Sequence, residues 1–182
     1  MIATDAQAVL DFWFGATARS FWFAKSDEFD KLLTDKFLAI LQSASLGECD
    51  TWRTTAQGRL AEIIVLDQFS RNIYRNTPNA FAADGMALAL AQELIKQPDF
   101  AALTVAERNF ALLPFMHSES KIVHEKAVPL FEKFSDSNTL DFELKHKAII
   151  DTFGRYPHRN AILGRVSSPR ELEFLSKPNS SF

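Results

Sequence analysis

The chain has 182 residues, 47% of them hydrophobic, and 20 Lys and Arg against 23 Asp and Glu give it a formal net charge of −3. This length and composition suit one globular domain, which we expect residues 1–182 to form. The acidic balance offers no basic field for nucleic acid, and no apolar stretch is long enough to span a membrane. The single cysteine, Cys49, excludes an internal disulfide and a cysteine-based zinc cage. It favours the reducing cytoplasm as the location, in line with an N-terminus that does not resemble a signal peptide.

In the first half of the chain, apolar residues recur at the spacing of amphipathic helices. Alanine and leucine, both strong helix formers, dominate the last predicted helix of this half, which follows a break at Pro78. Four helices are predicted in this half. The first starts at Thr4–Asp5 and stops at Gly15, and the second starts after Ser26 and ends near Gly47. The third and fourth cover about residues 59–70 and 79–96.

The second half of the chain has clearer start signals. Thr104 and Glu107 have the spacing of a capping box, and Ser168 and Glu171 have it again with Pro169 at the first helical position. Two further helices are predicted over residues 119–134 and 138–153. No alternating segment of useful length and no Asn-Gly or Asp-Gly turn indicates a hairpin. The sequence therefore predicts a compact all-α domain of about seven or eight helices.

Two segments of the chain match each other. Residues 64–76, IVLDQFSRNIYRN, align with residues 148–160, AIIDTFGRYPHRN, at an offset of 84 residues. Helical repeats bury a continuous face by stacking similar units, so the match indicates a possible internal repeat. The matched pairs are Asp67 with Asp151, Phe69 with Phe153, Arg71 with Arg155, Arg75 with Arg159 and Asn76 with Asn160.

Four motifs resemble those of a known family. They are VLDFWFG at residues 9–15, LDQFSRNIYRNTPNAFAAD at 66–84, LPFMHSE at 113–119 and FGRYPHRNAILGR at 153–165. Together they are similar to bacterial domain-of-unknown-function family 924, and the resemblance extends over about residues 8–180. It implies a compact, all-helical, tetratricopeptide-like fold and says little about activity. Folds of that kind often serve as binding scaffolds, although a fold does not fix a function.

The matched segments allow two interpretations. Asp67 and Arg71, and likewise Asp151 and Arg155, are four residues apart, so each pair can form an ion pair on one helix face. Under this interpretation the motifs are structural ion-pair locks. Arg75, Arg159 and Arg165, however, have no acid nearby in the sequence. A guanidinium group holds a carboxylate or phosphate through two parallel hydrogen bonds, so the same motifs can form an anion site.

The segment from residue 155 to residue 165 is the densest candidate. Pro157 prevents a regular helix there, so its polar side chains lie on a bend carried by a helix. We expect a small anionic ligand or an acidic peptide to bind at this corner. The candidate ligand-binding residues are Arg71, Arg75, Asn76, Arg155, His158, Arg159, Asn160 and Arg165.

An enzyme acting on a phosphate or carboxylate substrate is the alternative function. His158 or His117 would then be the acid–base group, with Glu119 as a further candidate and Glu119 or Asp67 orienting the histidine. The sequence contains no H-E-x-x-H motif and no glycine-rich phosphate loop, so no metal or cofactor is expected. Whether the protein is an enzyme, and its oligomeric state, stay open.

Overall fold

The computed structural model describes residues 2–178 and 180, so residues 1, 179, 181 and 182 of the predicted domain lie outside it. All regular secondary structure in the described part of the chain is helical, and the all-α prediction is confirmed. None of the described helices is long and apolar enough to cross a membrane. The helices are α1 Thr4–Trp13, α2 Ala16–Arg19, α3 Asp27–Ser45, α4 Ala56–Ile64, α5 Ser70–Ile73, α6 Asp84–Leu94, α7 Val105–Met116, α8 Lys121–Phe134, α9 Ser137–Phe153 and α10 Pro169–Leu175.

Both predicted capping boxes are present. The Thr104 hydroxyl accepts from the backbone N–H of Glu107, whose carboxylate accepts from the backbone of Thr104, and this reciprocal pair starts α7. Ser168 and Glu171 start α10 in the same way. These signals are local, so they survive folding unchanged.

Two helices differ from the prediction in their bounds. The helix predicted at residues 59–70 begins at Ala56 and continues from α4 through a π-helical turn, Val65–Phe69, into α5. The helix predicted at 79–96 begins only at Asp84, because Pro78–Phe81 forms a 3₁₀ turn before it. That turn brings Phe81 and Asp84 to the same end of α6.

Aromatic residues build much of the core. Trp13 is fully buried, and its ring lies 5.5 Å from the rings of both Phe69 and Phe110. Phe23, by contrast, is 84% exposed. All five residues of the π-helical turn are buried in this core. Asp67, in the middle of the turn, is consequently a carboxylate inside the protein and needs partners there.

The C-terminal helices carry the Arg-rich corner. α7 packs against α8, and α8 packs against α9. Gly154 ends α9 in the left-handed conformation, with φ of 70°. Tyr156 is extended before Pro157, as expected for a residue that precedes proline, and a 3₁₀ turn follows at Pro157–Arg159. This bend directs the chain back toward the end of α7.

Candidate functional site

A buried carboxylate lies directly behind the candidate site. Oδ1 of Asp67 lies 2.7 Å from Nδ1 of His117 and 3.1 Å from Nη1 of Arg71. Its other oxygen accepts a 2.5 Å hydrogen bond from the Gln68 amide. Burial alone would raise the pKa of the Asp67 carboxyl. Arg71 and His117 together lower it by more than burial raises it, so the pKa lies below its ordinary value. Asp67 is therefore a charged and fully partnered anion.

Asp84 joins the two matched segments. Arg71 of the first segment donates to its two carboxylate oxygens at 2.9 and 3.0 Å. Arg159 of the second donates to one of them at 3.2 Å and to the backbone carbonyl of His117 at 3.1 Å. The two arginines that meet are not equivalent positions of the match, since Arg71 aligns with Arg155.

Arg159 is the least compensated of these arginines. It is 6% exposed, and its Nε is buried with no hydrogen-bond partner among the described residues. Burial and then the like charge of Arg71 lower the pKa of its guanidinium, although an arginine stays charged in any case. The guanidinium carbon lies 4.6 Å from the ring centres of Phe81 and Tyr156, which offer it two aromatic faces. Its positive charge is thus held in place without a carboxylate of its own.

The other arginines of the predicted site bind carboxylates within the protein. Arg75 makes two hydrogen bonds to Asp30, Arg155 makes two to Glu171, and Arg165 makes two to Glu119. Arg75 and Arg165 have no acid nearby in the sequence, but each has one in the structure, because their partners are 45 and 46 residues away along the chain. These three arginines are therefore paired within the protein.

The predicted pair of Asp151 and Arg155 is wrong. Asp151 pairs with Lys147 at 2.6 Å, one turn earlier on α9. Because Gly154 ends the helix, Arg155 lies outside it and no longer follows the four-residue spacing. The equivalent pair of Asp67 and Arg71 does form, since the π-helical turn continues into α5.

The two asparagines of the match have different surroundings. Asn160 is buried, donates to Ser167 and Glu171, and accepts from Nε of Arg165. It orients the arginine network rather than facing open space. Asn76 adopts a left-handed conformation with φ of 63°, which asparagine tolerates better than most residues.

A cleft of about 340 Å³ opens beside Arg159. Phe81 comes from the 3₁₀ turn before α6, Asp84 from the first residue of α6, and His117 and Glu119 from the segment after α7. Its lining is completed by Pro78, Ala82, Gly85, Leu88, Pro114, Ser118, Arg159 and Leu163. Apolar walls with a few convergent polar groups are typical of small-molecule sites.

His117 is oriented within this cleft. Burial and then Arg71 lower the pKa of its imidazole, so the ring is neutral at pH 7. A neutral ring beside the Asp67 carboxylate carries its proton on Nδ1, which donates to Asp67, and keeps a lone pair on Nε2. Among the described residues Nε2 has no hydrogen-bond partner, and the side chain is 16% exposed. The pair of Asp67 and His117 therefore has the arrangement of a general base.

The other two catalytic candidates are less well placed. Glu119 accepts from Arg165 and from the backbone N–H of Tyr156. Burial raises the pKa of its carboxyl, but these hydrogen bonds outweigh burial and the pKa lies below its ordinary value. His158 has a buried Nδ1 without a partner, and burial lowers its pKa to about 4. No carboxylate orients its ring in the described structure. The residues that the sequence did not predict are Asp84, Phe81 and Tyr156, although all three lie within the quoted family motifs.

Among the described residues, no group of three or more His, Cys, Asp or Glu side chains is arranged to hold a metal ion.

Comparison with known proteins places the chain in a family. The sequence profile described as "Bacterial protein of unknown function (DUF924)" matches residues 9–179. A solved structure of a protein of unknown function from Agrobacterium tumefaciens is similar over 93% of this chain and 96% of its own, with 34% identity and a TM-score of 0.87. No functionally curated protein matches the sequence. The chain therefore belongs to the bacterial DUF924 family, whose function is unknown.

Proposed function

We propose that this protein binds a small molecule bearing a carboxylate or phosphate group, with the anionic group on Arg159 in the cleft between α6 and the end of α7. The observation that carries the proposal is the state of Arg159. Its charge is buried, lies close to the like charge of Arg71, and shares a single carboxylate with it. An added anion would compensate this charge, whereas Arg75, Arg155 and Arg165 already have carboxylates.

The size of the cleft favours a small molecule over an acidic peptide. A volume of about 340 Å³ lies at the lower end of the range of small-molecule sites. Phe81, Leu88 and Leu163 supply apolar wall for the body of such a molecule. A tetratricopeptide-like fold and a cytoplasmic location, both expected from the sequence, are consistent with this proposal.

Thermal melting across a panel of succinate, citrate, inorganic phosphate and short acidic peptides tests the proposal. A ligand that binds the folded state alone stabilises it by about 2.7 kcal/mol at a hundredfold excess over its Kd. We expect at least one small anion to raise the Tm of the parent and to have no effect on Arg159→Met, which keeps the side-chain length without the charge.

Arg75→Gln is the matched control. It removes an arginine that the sequence places in the same candidate set but that the structure pairs with Asp30. This variant should melt at a lower temperature than the parent and keep the anion-dependent rise. A rise that persists in Arg159→Met, or one that appears only with peptides, would contradict the proposal.

A further inference from the structure

We infer that the cleft is a catalytic site in which His117, held by Asp67, is the general base for hydrolysis of a small carboxylic ester that also carries a free carboxylate. This inference rests on the proposed function, because the free carboxylate is the group that binds Arg159. Three observations carry it: the orientation of the histidine by an enclosed carboxylate, its free nitrogen and its adjacency to Arg159.

The first observation is the bond that orients the ring. Nδ1 of His117 and Oδ1 of Asp67 are 2.7 Å apart, and Asp67 is 1% exposed. Arg71 and Gln68 hold the same carboxylate from two other directions. The carboxylate therefore cannot rotate away, and the imidazole has one tautomer and one orientation. Asp67 is a positioning residue, since it lies behind the ring and away from the cleft.

The second observation is the free nitrogen. Nε2 of His117 makes no hydrogen bond to the described residues, and the side chain is 16% exposed where it lines the cleft. His124 provides the contrast, since its Nδ1 lies 2.7 Å from Glu143 and its Nε2 lies 2.9 Å from the carbonyl of Ser118. One histidine is satisfied at both nitrogens and serves the fold, whereas His117 keeps one nitrogen available to a molecule in the cleft.

The third observation is the adjacency of the base and the anion site. Nη2 of Arg159 donates to the backbone carbonyl of His117 at 3.1 Å, so both side chains line one cleft. A carboxylate bound to Arg159 would place the remainder of a short molecule beside the imidazole. Such positioning is the main requirement for general-base catalysis.

The chemical step balances without a cofactor. Nε2 of His117 takes a proton from a water molecule while the water oxygen bonds to the ester carbonyl carbon, and the π electrons move to the carbonyl oxygen. The tetrahedral intermediate then collapses, the bond from carbon to the alkoxy oxygen breaks, and the leaving oxygen takes the proton from Nε2. The ester and water become an acid and an alcohol, and His117 returns to its neutral form.

The charged and titratable surroundings of His117 set the pH dependence. Burial and then Arg71 lower its pKa, while Asp67 and Asp84 raise it. Arg159 contacts its backbone carbonyl. The neutral form is the base, so the rate should fall as pH drops below the ordinary range of histidine, through the lowered pKa of His117. The groups that face or interact with the ring are Asp67, Arg71, Asp84, His146 and His158.

The test uses the mono-4-nitrophenyl ester of succinate as substrate and 4-nitrophenyl acetate, which has no free carboxylate, as its control. Binding of succinate itself is measured in parallel by calorimetry. We expect the parent to hydrolyse the succinate ester, His117→Gln to lose about 100-fold or more in kcat while still binding succinate, and Arg159→Met to raise KM for the succinate ester alone.

Asp67→Asn distinguishes a positioning role of Asp67 in catalysis from a purely structural role, because only the former affects the pH–rate profile. Because Asp67 raises the pKa of His117, its loss should shift the acidic inflection of the pH–rate profile to lower pH as well as reduce kcat. A variant that was merely less stable would keep the inflection of the parent.

The outcomes separate this inference from the proposed function. Succinate binding without hydrolysis, or hydrolysis unchanged in His117→Gln, would overturn the catalytic role and leave anion binding intact. Absence of both binding and hydrolysis would overturn both. Hydrolysis of the acetate ester at the same efficiency as the succinate ester would overturn the stated substrate class.

Discussion

Arg71 connects two carboxylates, the buried one of Asp67 and the partly buried one of Asp84. It donates to Asp84 through two hydrogen bonds and to the backbone carbonyl of Asp67, and it forms an ion pair with the Asp67 carboxylate. Arg159 contacts only one oxygen of Asp84, and Asp84 keeps Arg71 if Arg159 is removed. Arg71 is thus paired with two carboxylates, whereas Arg159 has only a share of one.

Removal of Arg71 should therefore be much more costly than removal of an exposed charge. Arg71→Met leaves Asp67 and Asp84 without their main cation, and we expect it to lower the free energy of unfolding by about 3–5 kcal/mol. Lys31→Met is the control, because Lys31 and Asp35 form an exposed pair, and it should change that free energy by less than about 0.5 kcal/mol. Urea denaturation measures both. Equal stability of Arg71→Met and the parent would show that the Asp67 and Asp84 carboxylates do not depend on Arg71.

Buried histidines should make the protein sensitive to mild acid. Burial lowers the pKa of His158 from 6.5 to about 4 and that of His146 from 6.5 to about 3. Below pH 6.5 the unfolded chain binds protons at these residues that the folded chain does not, so protonation favours unfolding. Stability should fall from pH 6.5 toward pH 4, by at most about 1.4 kcal/mol per pH unit for each histidine.

Urea denaturation at pH 7, 6 and 5 measures this loss. Asp67 and Glu171, whose pKa values are also lowered, contribute only at more acidic pH, so they do not interfere in this range. His158→Gln removes one titrating group and should show a smaller loss between pH 6.5 and 5 than the parent. An identical loss in both proteins would rule out His158 as a source of the pH dependence.

At the scale of elements, the end of α9 decides which residues reach the cleft. Gly154 stops the helix with φ of 70°, and the chain then turns at Pro157 and brings Arg159 to the end of α7. A side chain at position 154 would meet no neighbouring atom within 4 Å, so a substitution there is opposed by the backbone conformation alone. Gly85, in the first turn of α6, also has open space around it but no positive φ.

We expect substitution by alanine to have opposite effects on stability at these two glycines. Gly154→Ala should destabilise the protein by about 1–2 kcal/mol, because a left-handed conformation is costly for any residue with a Cβ atom. Gly85→Ala should stabilise it by about 0.4–1 kcal/mol, because alanine restricts the unfolded chain and favours the helix. Thermal or urea unfolding of both variants measures the difference. A stabilising Gly154→Ala would contradict the role of the left-handed cap.

The elements themselves were largely predictable from the sequence. Apolar spacing and the capping residues at Thr104 and Ser168 are local signals, and the structure keeps them. The start of α6 was missed because a 3₁₀ turn precedes it, and the π-helical turn has no signal in composition. Both deviations lie where the chain builds the candidate site, which is where irregular helix geometry is often found.

At the scale of the whole molecule, the candidate site depends on contacts that sequence spacing does not indicate. Asp84 joins Arg71 to Arg159, and Asp67 meets a histidine 50 residues away. The sequence offered Asp67, His117 and Arg159 as candidates, but it grouped Arg159 with arginines that bind carboxylates elsewhere in the protein. Only the packing of α4, α6 and α7 brings the true neighbours together.

The most direct measurement follows the guanidinium of Arg159 itself. Its Nε–H signal in a ¹H–¹⁵N spectrum can be assigned by its loss in Arg159→Met and followed while succinate or inorganic phosphate is added. We expect this signal to shift to saturation with one of these anions, while the Nε–H signals of Arg75 and Arg155, which donate to carboxylates, stay in place. If the Arg159 signal does not move at any anion concentration, or if all three arginines move together, the cleft beside Arg159 is not a specific anion site.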